Sequence, residues 1–254
     1  MEKRQRDMMT FKQEWADVSV LAAKNSNMWD GARIVLCDVP IDKRQVKAIL
    51  PLFMTPTKEA KATLFIANYV KNSFSVPYHE AALLLHVRTP LGRGVHCPWM
   101  IVDDDSAMIY GREHLGYPKK MGEFIFEETK THIHASVKRR GVEILSMDGA
   151  MGKSETNPAP VLGMKTFNVR SPGQFFIFHP IWLFRAKETV TESYETPIKL
   201  TLNESVVDPI ARLIDGNPFN GRMTVIDIIG GAYMLPVGLA SFRWFVINHK
   251  LRHQ

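Results

Sequence analysis

Short apolar segments, separated by turns that contain glycine, proline or asparagine, recur along most of this chain. Several segments alternate apolar and polar residues, and many are rich in valine, isoleucine and phenylalanine. Such segments are typical of β-strands, and short turns between them favour antiparallel pairing. The segments that predict strands are 33–39, 62–70, 79–87, 95–102, 107–112, 123–127, 131–139, 142–147, 164–169, 174–178, 181–189 and 198–202.

Helices are predicted at only a few places. Asp42 is placed to cap the N-terminus of a helix over 43–50. The pair Asp208-Pro209 predicts the start of a second short helix, because proline is favoured at the first helical position. Residues 223–248 predict a strand followed by a helix. The fold class expected is therefore mainly β and antiparallel, with a few short helices.

Length and composition are those of an ordinary globular protein. The 254 residues predict one domain over 28–254, preceded by an arm or short helix over 1–27. The apolar stretch 228–242 is shorter than the ~20 residues of a membrane-spanning helix, so no membrane association is expected. No apolar run follows the polar N-terminus, and we expect a cytoplasmic protein in which Cys37 and Cys97 are reduced thiols.

The charge balance narrows the class of ligand only slightly. Lysine and arginine number 32 against 26 aspartates and glutamates, a net charge of +6. An excess of positive charge suits nucleic acid, an anionic surface or an anionic substrate. Basic residues do not alternate with aromatic residues along any segment, so a nucleic-acid partner is not favoured.

Two features resemble parts of metal sites. The acidic turn 103–106, expected to join strands 95–102 and 107–112 as a hairpin, lacks the spacing and the glycine of a calcium-binding EF-hand. His132 and His134 share one face of a strand, but no nearby ligand pattern completes a metal site. A solvated turn and a polar strand face are favoured, and no metal is predicted.

The candidate catalytic residues are concentrated in the segment 111–122, Gly-Arg-Glu-His-Leu-Gly-Tyr-Pro-Lys-Lys-Met-Gly. Lys119 and Lys120 follow Pro118, which restricts the backbone and favours a fixed turn. A free lysine amine is protonated at neutral pH and cannot attack a carbonyl. A second ammonium nearby and an apolar wall both disfavour the charged form, so this arrangement favours a nucleophilic amine.

The string Gly-Arg-Glu, four residues and then Pro-Lys-Lys-x-Gly resembles the signature of the acetoacetate decarboxylase family. The resemblance implies an antiparallel β-barrel or cone and a homo-oligomer. It also implies that Lys119 forms a Schiff base with a small keto acid, while Lys120 helps to keep it uncharged. No metal or organic cofactor is implied, because the iminium accepts the electrons.

The resemblance extends to two residues upstream. In Tyr78-His79-Glu80 the acidic residue matches a family position, which implies that Glu80 contacts Lys120 and orients the reacting group. Arg33 matches the family's cavity arginine, although through a one-residue gap. A guanidinium there could bind the carboxylate of the substrate through paired hydrogen bonds.

The remaining residues of the motif have supporting roles in this interpretation. Tyr117 is expected to line the substrate site beside the lysines and to supply part of the apolar wall. Arg112, Glu113 and Pro118 are expected to be structural, with Arg112 and Glu113 paired within the turn.

One position departs from the family pattern. The decarboxylases of the family carry a second acidic residue where this chain has Phe65, which we also place at the substrate site. The implied reaction is decarboxylation of a β-keto acid such as acetoacetate. Aldol or dehydration chemistry on a pyruvate-like acid remains an alternative, as does a non-catalytic barrel that binds a small acid.

Overall fold

The computed structural model of the chain describes residues 28–170 and 179–253. The arm predicted over 1–27 and the strand predicted over 174–178 lie outside these described residues. The strands are β1 (Trp29–Pro40), β2 (Thr55–Pro56), β3 (Lys61–Tyr69), β4 (Lys71–Asn72), β5 (Tyr78–Thr89), β6 (Gly92–Val102), β7 (Lys119–Met121), β8 (Glu123–Glu128), β9 (His132–Arg139), β10 (Val142–Ala150), β11 (Thr166–Val169), β12 (His179–Glu195), β13 (Ile198–Leu202) and β14 (Phe219–Ala240).

The larger sheet closes on itself. Its strands hydrogen-bond in the order β2-β5-β3-β1-β14-β12-β11-β6-β7, with β4 beside β1. An additional pairing of β5 with β6 joins the strands from β5 round to β6 into a ring. Most neighbours are antiparallel, while β6 runs parallel to both β7 and β11. The expected antiparallel barrel or cone is therefore confirmed, with β7 as a short strand on its edge.

Residues alternate between the two faces of this closed sheet. On β1, Ile34 and Leu36 belong to one buried cluster, whereas Val35 and Cys37 belong to another. The second cluster also contains residues of β9 and β10, which lie in a separate sheet, so it marks the outer face of the ring. The cluster of Ile34 and Leu36, the inner cluster, consequently fills the inside of the ring, and that of Val35 and Cys37 is the outer cluster. Between the bulges of these strands, a residue can be assigned to the inside or the outside by its position in the alternation.

The smaller sheet covers part of the outer face. It contains β13, β10, β9 and β8, paired in that order and all antiparallel. Ile133, Val137 and Leu145 are fully buried in the outer cluster. Burial of apolar surface between two sheets contributes roughly 25 cal/mol per Å² removed from water. The strands predicted over 123–127, 131–139 and 142–147 are confirmed.

The helices are short, and one of them corrects the sequence prediction. They are α1 (Lys43–Ile49), α2 (Asp105–Glu113), α3 (Phe242–Ile247) and α4 (His249–His253), with a 3-10 turn at Ile210–Leu213. The capping role predicted for Asp42 is confirmed, because its carboxylate accepts hydrogen bonds from the N–H groups of Arg44 and Gln45. None of the helices within the described residues is long and apolar enough to cross a bilayer.

The hairpin predicted at 95–112 is wrong in its second half, which is α2. The carboxylate of Asp104 accepts a hydrogen bond of 2.7 Å from the N–H of Ala107 and caps the helix. Ala107 and Gly111, four residues apart, are buried on the same side of the helix. The acidic turn is thus a helix start, and α2 packs against β7 immediately ahead of the lysines.

The two cysteines are free thiols, as predicted, and both are buried. Cys37 lies in the outer cluster and Cys97 in the cluster inside the ring. Burial raises the pKa of both thiols, that of Cys37 to about 12. Both are therefore neutral thiols at physiological pH.

Candidate active site

Lys119 is the first residue of β7, and its side chain is directed into the ring. In the parallel pairing with β6 it lies opposite Met100, a member of the inner cluster. The residue is only 3% exposed. Burial of an ammonium group without a partner would cost folding free energy, so the contacts of Lys119 define the site.

Glu80 supplies the partner of Lys119. The two charged groups lie 2.7 Å apart, from Lys119 Nζ to Glu80 Oε2, and both side chains are almost fully buried. The hydroxyl of Tyr69 donates a hydrogen bond of 3.2 Å to Glu80 Oε1. The ring of Tyr78 completes this side, with its centroid 5.3 Å from Lys119 Nζ. The expectation that Glu80 contacts Lys120 is corrected, because Glu80 and Lys119 share the inner face.

Gly111 of α2 makes room for the lysine side chain. A Cβ atom on this residue would overlap Cε and Cδ of Lys119. Since Gly111 is helical, close approach and not an unusual backbone conformation explains the glycine. This contact explains how the first residue of the 111–122 motif is linked to the lysine near its end.

Replacement of Gly111 by alanine is expected to displace the Lys119 side chain and to lower the free energy of unfolding by about 1–3 kcal/mol. Urea unfolding of Gly111→Ala, Lys119→Ala and the double variant measures the coupling. In the Lys119→Ala background, Gly111→Ala should no longer lower the free energy of unfolding. The overlapping lysine side chain is then absent, and alanine favours a helix more than glycine does. An equal cost in both backgrounds would contradict the steric explanation.

The surroundings of the amine are apolar and aromatic. Phe65 is fully buried in the same inner cluster, and Tyr117 packs against that cluster and against Phe184, with ring centroids 5.5 Å apart. Burial, helped by the charge of Glu80, raises the pKa of Tyr69, Tyr78 and Tyr117 well above the ordinary phenol value. Phe65 and Tyr117 are thus on the face expected for residues that line the site.

Lys120 is directed to the opposite face of β7. It lies opposite Ile101, a residue of the outer cluster, and its ammonium forms an ion pair with Asp208. Asp208 also accepts hydrogen bonds of 2.9 Å from Trp99 Nε1 and 2.8 Å from Arg139 Nη1. The two adjacent lysines therefore have separate carboxylates on separate sides of the strand.

The buried pair perturbs both of its members. Burial lowers the pKa of Lys120 to about 8, even though Asp208 favours the ammonium form. Burial alone would raise the pKa of Asp208, but Lys120, Trp99 and Arg139 together hold it below its ordinary value. The prediction that the Lys120 amine lies close to the Lys119 amine is wrong, because the two side chains are on opposite faces of β7. Lys120 instead anchors the other side of β7.

Asp208 is the residue that the sequence interpretation missed. It was assigned only the start of a helix, whereas its side chain is completely buried and binds two cations. It is separated from Lys120 by 88 residues. Its one local signal is the Asp-Pro pair, which does not indicate an ion pair.

Arg33 lies on the outer face and not in the ring, which corrects its assignment to the substrate cavity. It alternates with Ala32 and Ile34, which belong to the inner cluster. Its guanidinium forms an ion pair with Glu128 of β8. The pair lies at a different pocket from the lysines, lined in part by Arg33, Glu128 and Tyr194.

Arg112 holds the backbone of the lysine strand. Its Nη1 donates hydrogen bonds of 2.8 Å to the carbonyl of Lys119 and 3.3 Å to the carbonyl of Arg252. Glu113 is exposed, so the predicted pairing of Arg112 with Glu113 is replaced by these carbonyl contacts. Pro118 is buried immediately before β7.

No metal site is found in the described part of the chain. Across residues 28–170 and 179–253, no group of three or more His, Cys, Asp or Glu side chains is arranged to hold a metal ion. His132 and His134 do share a strand face, where both contact the half-buried Asp148, at 3.2 and 3.1 Å.

Comparisons with known proteins agree with this fold. Solved structures with the same fold include acetoacetate decarboxylase from Legionella pneumophila subsp. pneumophila str. Philadelphia 1, at 16% identity and a TM-score of 0.69 over 84% of this chain and 85% of that one. The enduracididine biosynthesis enzyme MppR, complexed with pyruvate, matches at 14% identity and a TM-score of 0.68 over 79% and 87%. An acetoacetate decarboxylase-like enzyme from Sphingomonas wittichii RW1 matches at 15% identity and 0.69 over 82% and 92%.

Sequence comparison alone gives two results. No curated protein sequence matches the chain. The family model described as acetoacetate decarboxylase (ADC) matches residues 11–240, which is most of the chain. The chain belongs to the acetoacetate decarboxylase family.

Proposed function

We propose that the protein is a lyase that decarboxylates a small β-keto acid, such as acetoacetate, through an iminium on Lys119. The observation that carries the proposal is the Lys119 amine, 3% exposed and 2.7 Å from the Glu80 carboxylate within an apolar interior. A buried amine beside a group that can take its proton is what a lysine nucleophile requires. The family membership and the relatives named above support the same class of chemistry.

Glu80 is the group that manages the proton in this proposal. In an apolar interior, an ion pair at hydrogen-bond distance can transfer its proton and become a neutral acid and a neutral amine. Lys119 thereby gains a lone pair without releasing a proton to solvent. The hydrogen bond from Tyr69 holds Glu80 in place during both states.

The reaction then proceeds through the iminium as electron sink. Lys119 Nζ attacks the ketone carbon, and loss of water leaves a protonated imine. The bond to the carboxylate breaks, carbon dioxide departs, and the electron pair forms an enamine with the imine carbon. The proton that Glu80 took from Lys119 leaves with the water lost in imine formation, so Glu80 takes a second proton from solvent and delivers it to the enamine carbon. Water then hydrolyses the protonated imine, which releases the ketone and restores the Lys119–Glu80 ion pair. Because the iminium accepts the electrons, the mechanism needs no metal or organic cofactor.

Phe65 is the observation that favours a second candidate reaction. It places an aromatic ring on the inner face where decarboxylases of the family are expected to carry an acidic residue. An enamine that is not formed by decarboxylation can attack an aldehyde, so the same lysine could serve aldol condensation or dehydration of a pyruvate-like acid. MppR, which has the same fold, has been solved with pyruvate and with a condensation product of pyruvate.

Borohydride trapping tests the proposed function directly. Incubation with acetoacetate or pyruvate in the presence of borohydride should reduce the imine and leave a stable adduct on the peptide that contains Lys119. Peptide mass spectrometry locates the adduct, and release of carbon dioxide distinguishes decarboxylation from aldol chemistry. Lys119→Arg should form no adduct, because a guanidinium does not form the imine.

The control is a lysine on the surface. Lys71 is highly exposed and pairs with Asp30, so Lys71→Arg should leave trapping unchanged. If neither acid nor a broader set of small keto acids labels Lys119, the covalent mechanism is excluded. Binding of these acids without an adduct would instead support a barrel that binds a small acid and has no catalytic role.

A further inference from the structure

A pocket lined by basic residues lies at the free edge of β7, the strand that contains Lys119 and Lys120. Its volume is about 680 Å³, within the range of small-molecule sites. It is formed between α2, β7, the β9–β10 turn and the C-terminal helix α4. The arginines that line it are Arg112, Arg139, Arg140 and Arg252.

Arg252 is an unusual lining residue because its charge is buried. It is 4% exposed, and its Nη2 donates a hydrogen bond of 2.7 Å to the carbonyl of Val169. Its Nη1 is buried and has no hydrogen-bond partner in the described part of the chain. The guanidinium lies over the ring of Trp244, 5.4 Å from its centroid. A buried guanidinium nitrogen without a partner is costly, and an anion in the pocket would satisfy it.

Arg112 is the second guanidinium of the pocket, and its side-chain nitrogens are only partly used. Its Nη1 binds backbone carbonyls, and its Nη2 is 3.4 Å from Nδ1 of His253. The Nε2 atom of His253 is also buried without a partner among residues 28–170 and 179–253. Arg112, Arg252 and His253 therefore lie together, and two buried nitrogen atoms, Arg252 Nη1 and His253 Nε2, have no hydrogen-bond partner in the described residues.

Three of the other cations of the pocket already have carboxylates, and the fourth, Arg140, is exposed. Lys119 pairs with Glu80, and Lys120 and Arg139 pair with Asp208. Neither Arg112 nor Arg252 forms an ion pair with any carboxylate in the described residues, and Arg112 is near enough to disfavour the charge of Arg252. Burial, reinforced by Arg112, lowers the pKa of Arg252 to about 10. Besides the exposed Arg140, the guanidinium groups of Arg112 and Arg252 therefore have no carboxylate partner among the residues that the structure describes.

We propose that this pocket binds a dianionic oxyanion, inorganic phosphate or a small phosphate monoester, between Arg112 and Arg252. Guanidinium groups bind phosphate oxygens through paired, charge-assisted hydrogen bonds, and two of them match the charge of a dianion. Lys119 also lines this pocket, but its ammonium pairs with Glu80 inside the ring, whereas Arg112 contacts only its carbonyl. The site would link ligand binding to the position of β7.

Calorimetry with inorganic phosphate, and thermal unfolding in phosphate against sodium chloride of the same ionic strength, test the site. Phosphate should bind and should raise the unfolding temperature more than chloride does. Arg112→Gln and Arg252→Met should each weaken binding at least about tenfold, as expected for loss of a charge-assisted contact. Glycerol phosphate in place of inorganic phosphate shows whether an ester is accepted.

Arg212→Gln is the matched control, because Arg212 is an exposed arginine paired with Glu204 far along the chain from the pocket. Its phosphate affinity should equal that of the unmodified protein. The proposal would be overturned if phosphate gave no larger heat of binding and no higher unfolding temperature than sodium chloride. It would also be overturned if Arg112→Gln bound phosphate as tightly as the unmodified protein. If Arg252→Met does not fold, Arg112→Gln decides alone. None of these measurements depends on imine formation at Lys119.

Discussion

Replacement of Asp208 by asparagine is expected to lower the free energy of unfolding by about 3–5 kcal/mol. The Asp208 side chain is completely buried and pairs with Lys120 and Arg139, whose side chains are 4% and 10% exposed. Asparagine keeps the shape but removes the negative charge with which Lys120 and Arg139 form their ion pairs. Urea unfolding, followed by fluorescence and circular dichroism, measures the change.

The control for this prediction is an ion pair at the surface. Glu204 pairs with Arg212, and both side chains are about two-thirds exposed, so Glu204→Gln should cost less than about 1 kcal/mol. Addition of Lys120→Met to Asp208→Asn should restore part of the lost stability, because a buried charge without a partner is removed. A loss below 1 kcal/mol for Asp208→Asn would show that the buried pair does not hold β7.

The same pair has a defined dependence on pH. The pKa of Asp208 is lowered in the folded state, so its contribution to stability is present above the unfolded value near ~3.9 and is lost as the pH falls through the folded value. The difference in unfolding free energy between the unmodified protein and Asp208→Asn should therefore narrow below about pH 4. A difference that stays constant from pH 6 down to pH 3 would contradict this assignment.

The strand pattern of the fold was predictable, but the orientation of the lysines was not. We expected Lys119 and Lys120 to lie in a turn, where both amines could approach each other. The structure places them in β7, where consecutive side chains point to opposite faces. Three strand residues are too few to show alternation in a sequence, and the parallel pairing with β6 involves a strand from another part of the chain.

Arg33 illustrates the same difficulty on a long strand. The segment around it was correctly predicted as a strand, but both faces of β1 are apolar, because one faces the inside of the ring and the other faces the second sheet. With no polar face, alternation cannot show which set of residues is inside. A shift of one residue in the comparison with the family is enough to exchange the faces.

Of the remaining errors, one concerns a local helix cap and the other an interaction between distant parts of the chain. Residues 107–112 contain Met108, Ile109 and Tyr110, which favour a strand as readily as a helix, and the cap provided by Asp104 was interpreted as part of a turn. Asp208 reaches Lys120 only through the folded chain. Lys119 and Glu80 were selected because both lie in short strings that resemble the family, although Glu80 was expected to contact Lys120. The ion pair between Lys120 and Asp208 has no such string.

Glu80→Gln is expected to lower the rate of imine formation and of turnover by about 10²–10⁴-fold, the usual range for loss of a general acid or base. Glutamine keeps a polar group near Lys119 Nζ but cannot take its proton or return one to the enamine. The rate of borohydride trapping in a single turnover measures the first step, and kcat measures the whole cycle. Tyr69→Phe, which removes one hydrogen bond to Glu80, should have a smaller effect.

Two further variants separate a role in proton transfer from a role in folding. Glu80→Asp retains the carboxylate and should recover part of the trapping rate, whereas a merely structural side chain would show no such dependence on charge. Glu127→Gln changes an exposed glutamate of β8 and should leave both rates unaltered. Trapping by Glu80→Gln at the rate of the unmodified protein would mean that the Lys119 proton leaves by another route, and the proposed pairing of nucleophile and base would be wrong.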